Sequence, residues 1–600
     1  MRQHQAAAAQ GGETILNVTR SALGRRWVER ATNTSDVLAI AQRLNTHEVI
    51  ARLLNARGVT ADDANTYLNP SLKTDLPDPS LVTDMDHAAI RIADAIERGE
   101  RMAIFGDYDV DGATSSALLA RYLGAVGTSP LVYIPDRLTE GYGPNIPAMT
   151  KLAADGARVI VTVDCGTQAH DAIAAASARG ADVIICDHHL PADTLPKAYA
   201  VVNPNRTDDT SGLGQLAAIG VTFLLCVALN RELRNRGFFE RRTAPDLRNW
   251  LGIVALGTVA DVVPLTGVNR AFVMRGLDTI RTGSVPGLTA LMEVGRISGA
   301  LEPYHLGFIL GPRVNAGGRV GRCDLGTRLL TTDDMSMARE IALELDALNQ
   351  ERRAIEQVML DEAIAVVETN GIIRSSPILV VPHEGWHPGV IGIVASRLKE
   401  RYGKPAIVIA INEGIGKGSG RSVAGVNLGT AIVAAREAGL LVNGGGHAMA
   451  AGLTVDPAHI DALGAFLSDQ LAADCMASSE GKILLLEGAL AASGASVEFC
   501  DIVARCGPYG AGNSEPIFVL PGLKVSYSSI VGEQHVRCVF QGRDGSRVSG
   551  IAFRALQSEL GPVLLKSKGR EIHVAASLKA DEWQGQRRVQ AIIKDAAFSS

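Results

Sequence analysis

Carboxylates and imidazoles recur in this chain directly after short apolar runs. MAIFG (102–106) leads into Asp107, Asp109, Asp111 and Gly112, VIVTV (159–163) into Asp164-Cys165-Gly166, and VIIC (183–186) into Asp187-His188-His189. A fourth run, LGIVALGTVA (251–260), leads to Asp261 and is expected to be a strand like the others. In an extended segment alternate side chains share one side, so Asp107, Asp109 and Asp111 can converge on one point. Several carboxylate oxygens with imidazole, and no thiolate, suit Mn²⁺ or Mg²⁺ better than zinc. A carboxylate such as Asp164 can bridge two ions. Two ions roughly 3.5–4 Å apart can clamp the attacking and leaving oxygens of a phosphoryl displacement. Taken singly, a strand-end Asp is an ordinary helix cap. Four such clusters together are not explained by capping.

A scaffold must bring these groups together. The apolar runs, with LVYI at 131–134, alternate with Ala-rich helical stretches, a pattern of βαβ units around a parallel sheet. The carboxyl ends of such strands form one crevice. This α/β domain, with a helical extension, is placed at 85–335. Before it, residues 1–84 read as a loose leader to about 35 and then short helices. Residues 336–370 form a connecting helix: no Gly or Pro occurs from 336 to 369, and Ile341, Leu345, Leu348, Ile355 and Met359 form one apolar stripe. A second α/β domain covers 371–476. After a linker at 477–482, residues 483–600 show short alternating runs and turn residues that suggest a small β-barrel.

Composition sets outer bounds. Six hundred residues exceed what one hydrophobic core organises, and 46% hydrophobic with 20% charged residues excludes a mainly disordered chain. No apolar run approaches the roughly 18–20 residues of a membrane span. A net charge of −6 gives no general hint of nucleic acid, though a local basic groove is compatible with it. Eight cysteines without a CxxC pair argue against a zinc finger or a disulfide scaffold, and the polar, Ala-rich start lacks a secretory apolar stretch. A reducing cytoplasm is the expected location.

A second set of residues suits phosphate. Arg137 lies in IPDR, Arg313 and Arg319 in GPRVNAGGR (311–319), and Ser419 and Arg421 in GSGRS (418–422). Arginine's planar fork donates two parallel hydrogen bonds, and neighbouring glycines let backbone approach a ligand. Gly444, Gly445 and Gly446 can form an anion-binding nest of N–H groups, with His447 adding a donor. His383, Trp386 and His387 in HEGWHPGVIG are candidates for nucleotide contact, or else a structural turn.

DYDVDG, VTVDCG, CDHH and GTVADVVPL resemble, in order, the four signature motifs of the DHH phosphoesterase superfamily. GPRVNAGGR, GSGRS, GGGHAMAAG (444–452), GPYGAGN (507–513) and EWQGQRRVQ (582–590) are similar to motifs of its RecJ family, so the resemblance spans nearly everything after about residue 20. It implies an α/β fold: a DHH-type parallel-sheet domain, the connecting helix, a DHHA1-type α/β domain and a C-terminal OB-fold barrel. It implies two Mn²⁺ or Mg²⁺ ions held by Asp109, Asp111, Asp164, His188 and Asp261, with Asp164 bridging. Asp107 would ligate or orient a neighbour, His189 would sit near the scissile phosphate, and His447 with Gly445 and Gly446 would close over the substrate. Arg137, Arg319, Ser419 and Arg421 would take the terminal phosphate, with Arg313 a further candidate. Phe105 stands where the pyrophosphatase branch has a metal-binding histidine.

The implied activity is 5′→3′ degradation of single-stranded DNA to mononucleotides in repair and recombination, alongside a helicase and a single-strand-binding protein. The barrel would grip the strand through Arg537, Arg547, Arg554, Lys566, Lys568 and Arg570, with Tyr527, Phe540 or Trp583 stacking on bases. All the acids and histidines precede the barrel, so the metal centre is expected to assemble without it. One rival, a DHH enzyme for short oligoribonucleotides or cyclic dinucleotides, needs no barrel. Another, a catalytically inert DNA-binding relative, would have lost its ligands.

Overall fold

A computed structural model describes residues 14–369, 376–479, 482–583 and 585–599. The first thirteen residues of the expected leader, the residues 370–375 after the connecting helix and positions 480–481 of the expected linker lie outside the described residues, as does the side chain of Trp583.

The leader is not loose from residue 14 onward. Strand β1 (Arg26–Glu29) pairs in parallel with Ile483–Leu486, far along the chain. Trp27 is fully buried and donates its indole N–H to Asp595 at 3.2 Å, while the Ser21 hydroxyl donates to the same carboxylate at 2.6 Å. One large aromatic in a polar stretch supplies enough burial to tie the N-terminus to the barrel.

The first sheet holds β2 (Met102–Gly106), β3 (Leu131–Tyr133), β4 (Val159–Val163), β5 (Asp182–Cys186) and β6 (Ala200–Val202), all parallel, in the order β3-β2-β4-β5-β6. β2 and β4 are buried throughout, which is why they read as continuous apolar runs. The chain leaves β2 toward one edge and returns to its other side as β4. The switch point where strand order reverses therefore lies between β2 and β4, and in such sheets ligands bind in the crevice beyond it.

The fourth apolar run is not a strand. Leu251–Ala260 is a helix, and Asp261 is its C-cap. Ten uninterrupted residues suit a buried helix better than a strand, and periodicity cannot separate the two when every side is covered. Glycines let it pack closely: a Cβ at Gly257 would lie 2.3 Å from the Thr114 hydroxyl, and one at Gly252 2.7 Å from Ile280.

The connecting helix spans Met335–Thr369. Its first half buries Ala338, Ile341 and Leu345 in the core of the first sheet, and its second half buries Met359, Ala363 and Val367 in that of the second. The second sheet contains β7 (Leu379–Glu384), β8 (Ala406–Asn412), β9 (Ile415–Arg421), β10 (Asn443–His447) and β11 (Ala450–Val455), in the order β10-β11-β9-β8-β7. GSGRS thus lies on β9 and GGGH on β10, with β11 between them. The three glycines are extended strand residues rather than a turn-like nest. Glycine is needed here for close approach: a Cβ at Gly446 would lie 2.4 Å from the Ala450 carbonyl.

After β12 (Ile483–Leu486), the partner of β1, strands β13 (Phe518–Val531), β14 (His535–Gln541), β15 (Arg547–Ala552), β16 (Glu571–Trp583) and β17 (Gln586–Phe598) close a barrel. Phe540 fills its core, whereas Tyr527 is exposed. Among the described residues no helix is long and apolar enough to cross a membrane.

Candidate metal centre and phosphate cleft

Beyond β2 the backbone turns sharply. Asp109 caps the helix Val110–Ala125, accepting from the Asp111 and Gly112 amides at 2.8 and 3.1 Å. The helix starts at Val110, so Asp111 lies in its first turn and the extended i, i+2 relation stops at Asp109. Its carboxylate instead meets the N-terminus of the helix Ala218–Asn235, accepting from the Ala218 and Ile219 amides at 2.7 and 2.9 Å. Gly112 is required, since a Cβ there would fall 2.4 Å from the Asp107 carbonyl oxygen. Beyond β4, Asp164 holds φ +60°, a strained value for a non-glycine residue. The Tyr142 hydroxyl donates to its carbonyl at 3.2 Å.

The side chains converge. His188 Nε2 lies 3.4 Å from Asp164 Oδ1 and 3.8 Å from both Asp111 Oδ2 and Asp261 Oδ2. Its Nδ1 faces the Leu216 carbonyl at 3.1 Å, which leaves Nε2 for a ligand role. Three overlapping groups have donor atoms close enough to share an ion: Asp111, His188 and Asp261; Asp107, Asp109 and Asp164; and Asp164 with His188 and His189. Asp164 and His188 each belong to two of them. The three groups form one continuous cluster of candidate ligands.

The electrostatics of the acids call for cations. Burial, reinforced by Asp109, pushes the Asp111 carboxyl up to about 7; burial and Asp111 push Asp261 up to about 9. Asp164 rises well above the carboxylate range through burial and the surrounding aspartates, and Asp107 through burial and Asp109. Asp107 Oδ1 is buried without a hydrogen-bond partner. Oxygen donors with one imidazole, packed until they repel, fit hard divalent ions.

His189 differs from His188. Burial disfavours its charged form, but Asp187 accepts from Nδ1 at 2.7 Å and outweighs burial, so its pKa is raised. Burial would raise Asp187, yet the His189 partner holds it well below the usual range. Burial and the neighbouring His189 lower His188 instead. Sequence reasoning assigned no role to Asp187, although it begins the DHH triplet. It also missed Asn203, which donates to the His189 carbonyl at 2.8 Å, and Asn205, which donates to the His188 carbonyl at 2.5 Å. The Asn-Pro-Asn after AVV, another apolar run with polar residues at its end, was the available signal.

Across a cleft of about 900 Å³, His189, Arg137 and Tyr142 face Ser419, Gly445 and His447 from the second sheet. Arg319 donates to the Gly389 carbonyl at 2.9 Å, and Arg421 to Ser419 Oγ at 3.0 Å. Burial and the charges of Arg137, Arg352 and Arg421 depress Arg319 to about 9; burial and Arg137 lower Arg421. No carboxylate lies within ion-pair distance of Arg137, Arg319 or Arg421 among the described residues. Gly392 gives Arg421 room, since a Cβ there would come within 3.0 Å of the guanidinium.

Arg313 is not part of this group. It pairs with Asp346 at 2.9 Å and donates to the Ile309 carbonyl at 2.8 Å, six residues and more than a helical turn from Arg319. Trp386 is buried in the second core with its N–H on Glu362 at 2.7 Å, and His383 stacks on it at 4.8 Å. The tryptophan is thus structural. Phe105 is wholly buried and stacks on Tyr133 at 5.5 Å.

Residues 101–258 match the DHH family, N-terminal domain, 375–473 the DHHA1 domain and 486–595 the RecJ OB domain. The chain is 39% identical over 530 residues to the single-stranded-DNA-specific exonuclease RecJ of Dickeya dadantii, covering 86% of this chain and 91% of that one. The chain belongs to the RecJ family. RecJ of Escherichia coli is 37% identical over 562 residues, covering 91% of this chain and 95% of that protein. The crystal structure of RecJ with Mn²⁺ from Thermus thermophilus superposes with a TM-score of 0.79 at 29% identity, covering 95% of this chain and 79% of that RecJ chain. A Mg²⁺ complex of the same RecJ gives 0.71.

Proposed function

We propose that this RecJ-family protein is a divalent-metal-dependent 5′→3′ exonuclease that degrades single-stranded DNA to mononucleotides in DNA repair and recombination. The observation that carries the reading is crowded charge of opposite sign beside one cleft: acids packed together at the sheet's switch point, and Arg137, Arg319 and Arg421 with no carboxylate at ion-pair distance. Two Mn²⁺ or Mg²⁺ ions would be held by Asp109, Asp111, Asp164, His188 and Asp261, with Asp164 common to both and Asp107 completing one set. Such ions supply an activated water at neutral pH and neutralise charge on the phosphoryl group.

The chain's own residues do the rest. Two helix-terminal amides fix Asp111, and the Leu216 carbonyl sets the His188 ring. His189, whose protonated form Asp187 favours, donates toward the oxygens of the scissile phosphate as charge grows there. Arg137, Arg319, Ser419 and Arg421 take the 5′-phosphate, and this sets polarity because only that end fits. His447, Gly445 and Gly446 form the opposite wall. The proposed division is 1–84, 85–335, 336–370, 371–476 and 483–600, with the barrel gripping the following strand. An enzyme confined to single strands requires a helicase to expose them, and a single-strand-binding protein is the other partner class proposed. A cytoplasmic location goes with that role. A time course on end-labelled single and double strands with Mn²⁺, Mg²⁺ or EDTA tests the reading: mononucleotides should appear from 5′ ends of single strands only, and not in EDTA. Release from 3′ ends, or metal-independent cleavage, would overturn it.

A further inference from the structure

The GPYGAGN loop, residues 507–513, lies between the helix Val497–Ala504 and β13, yet it packs against the segment that follows Asp261. The Ala511 carbonyl accepts from the Leu265 amide at 2.8 Å. Gly512, at φ +71°, passes so near that a Cβ would lie 2.8 Å from Pro264 Cβ, and a Cβ at Gly510 would lie 2.7 Å from Leu265 Cδ1. Between Asp261 and this contact stands Val262, exposed and at φ +60°. A β-branched residue holds that conformation only where its surroundings impose it.

The loop is itself clamped from behind. Asn513 is buried and donates to the Cys506 and Pro508 carbonyls at 3.0 and 2.9 Å, while Arg57 donates to its side-chain oxygen at 2.7 Å. Arg270, in the helix Gly267–Arg281, donates to the Cys506 and Gly507 carbonyls and to that of Tyr67. Its neighbour Asn269 donates to the Pro264 carbonyl at 3.0 Å and to the Gln215 carbonyl at 2.8 Å. Gln215 directly precedes Leu216, whose carbonyl meets His188, and lies three residues before Ala218, whose amide meets Asp111. One run of contacts therefore joins the barrel-side loop to the supports of three ligand candidates.

We propose that residues 507–513 are a positioning element of the metal centre: by holding the 262–265 segment they place the Asp261 carboxylate, so the C-terminal module sets divalent-metal affinity as well as strand grip. This rests on the reading of Asp261 as a metal ligand. It reverses the expectation that the centre assembles independently of the C-terminal module.

The test uses the full chain carrying Gly512→Ala, with Mn²⁺ binding followed by the electron paramagnetic resonance signal of the free ion and activity followed against Mn²⁺ concentration. Loss of an outer support costs about 10–100-fold in metal affinity. Mn²⁺ affinity at one position should weaken by about tenfold or more, and the half-saturating Mn²⁺ for nuclease activity should rise alike. The rate at saturating Mn²⁺ should return to within about twofold of the parent. A loop that merely holds two modules together would not produce that metal-restored pattern. If Gly512→Ala does not fold, Gly510→Ala decides: it should weaken Mn²⁺ binding, and Leu265→Ala in the same chain, by removing the atoms its methyl meets, should restore it. Parental Mn²⁺ affinity in a folded loop variant overturns the proposal. Asp261→Asn with parental Mn²⁺ binding would instead overturn the assignment of Asp261 as a ligand.

Discussion

The acid cradle beyond β2, β4 and β5 and the arginine group, Arg137 and Arg319 of the first domain with Arg421 of β9, are built alike with opposite sign. In the cradle, carboxylates are buried beside one another until Asp261 is pushed up to about 9. In the arginine group, guanidiniums are buried until Arg319 is depressed to about 9. Elsewhere such charges are paired, as Arg313 with Asp346 and Arg91 with both Asp182 and Glu100 at 2.6 Å, or wrapped in backbone carbonyls, as Arg270 is. Charge without a partner of opposite sign is costly away from water, so both groups are candidates to take a ligand. On the proposed reading the cradle would hold cations and the arginines an anion. A metal-bound, 5′-phosphorylated strand satisfies both.

The largest effect expected from breaking this symmetry is on the cradle. Asp164→Asn keeps a side chain that tolerates φ +60° but removes the shared charge. Altering an outer support costs about 10–100-fold, so loss of a shared ligand should lower turnover by more than about a hundredfold. The metal-free variant should melt no lower than the parent, since one repelling buried carboxylate is gone. Parental turnover in single-turnover assays would break the assignment.

On the arginine side the effect is smaller and selective. Arg421→Ala should lower kcat/KM on 5′-phosphorylated strands by about tenfold or more, the equivalent of about 1.5–3 kcal/mol for a charged hydrogen bond. Activity on 5′-hydroxyl ends should fall much less. Equal losses on both ends would remove Arg421 from terminal-phosphate recognition.

The cradle also predicts a pH dependence. Asp111 and Asp261 have folded values of about 7 and 9 against an ordinary value of 3.8, so the folded metal-free state binds more protons than the unfolded chain between those limits. Metal-free stability should therefore fall as pH rises from about 4 to about 9. Ions that bind the deprotonated ligands should restore it, so the Mn²⁺-induced rise in Tm should be larger at pH 8.5 than at pH 5.5. A difference of about 2 kcal/mol corresponds to roughly 4–8 °C for a unit of 150–250 residues. Calorimetry showing equal shifts at both pH values would contradict the stated cause of the raised pKa values. The smallest expected effect on end recognition is at Arg313: Arg313→Gln should lower Tm by breaking a largely buried ion pair, yet leave the preference for 5′-phosphate within about twofold of the parent.

The contrast also explains what could be read from sequence. β2, β4 and β5 were legible because each is a short apolar run ending in an acid, and a parallel sheet aligns those ends. Asp261 was legible as a ligand candidate but not as a helix C-cap, since a helix buried on every side carries no period. Asp187 escaped because what distinguishes it is its contact with His189, which only the fold shows. Arg313 and Arg319 looked alike in GPRVNAGGR, and only the position of Asp346 on the connecting helix separates them. GGGH suggested an anion-binding nest because successive glycines free the backbone, whereas here they are strand residues that permit close packing of β10 on β11. The N-terminal strand was invisible for another reason: its partner lies more than 450 residues away.

Divalent ions at the acid cradle and a terminal phosphate at Arg421 and Ser419 are proposed to occupy one continuous site. The most direct test is anomalous diffraction from crystals grown with Mn²⁺ and a cleavage-resistant, 5′-phosphorylated oligonucleotide. Two Mn²⁺ peaks roughly 3.5–4 Å apart are expected, both within reach of Asp164, one beside Asp261 and His188 and the other beside Asp107 and Asp109, with the 5′-phosphate on Arg421 and Ser419. A single peak, ions that leave Asp164 unligated, or a 5′-phosphate bound away from the arginines would contradict the account.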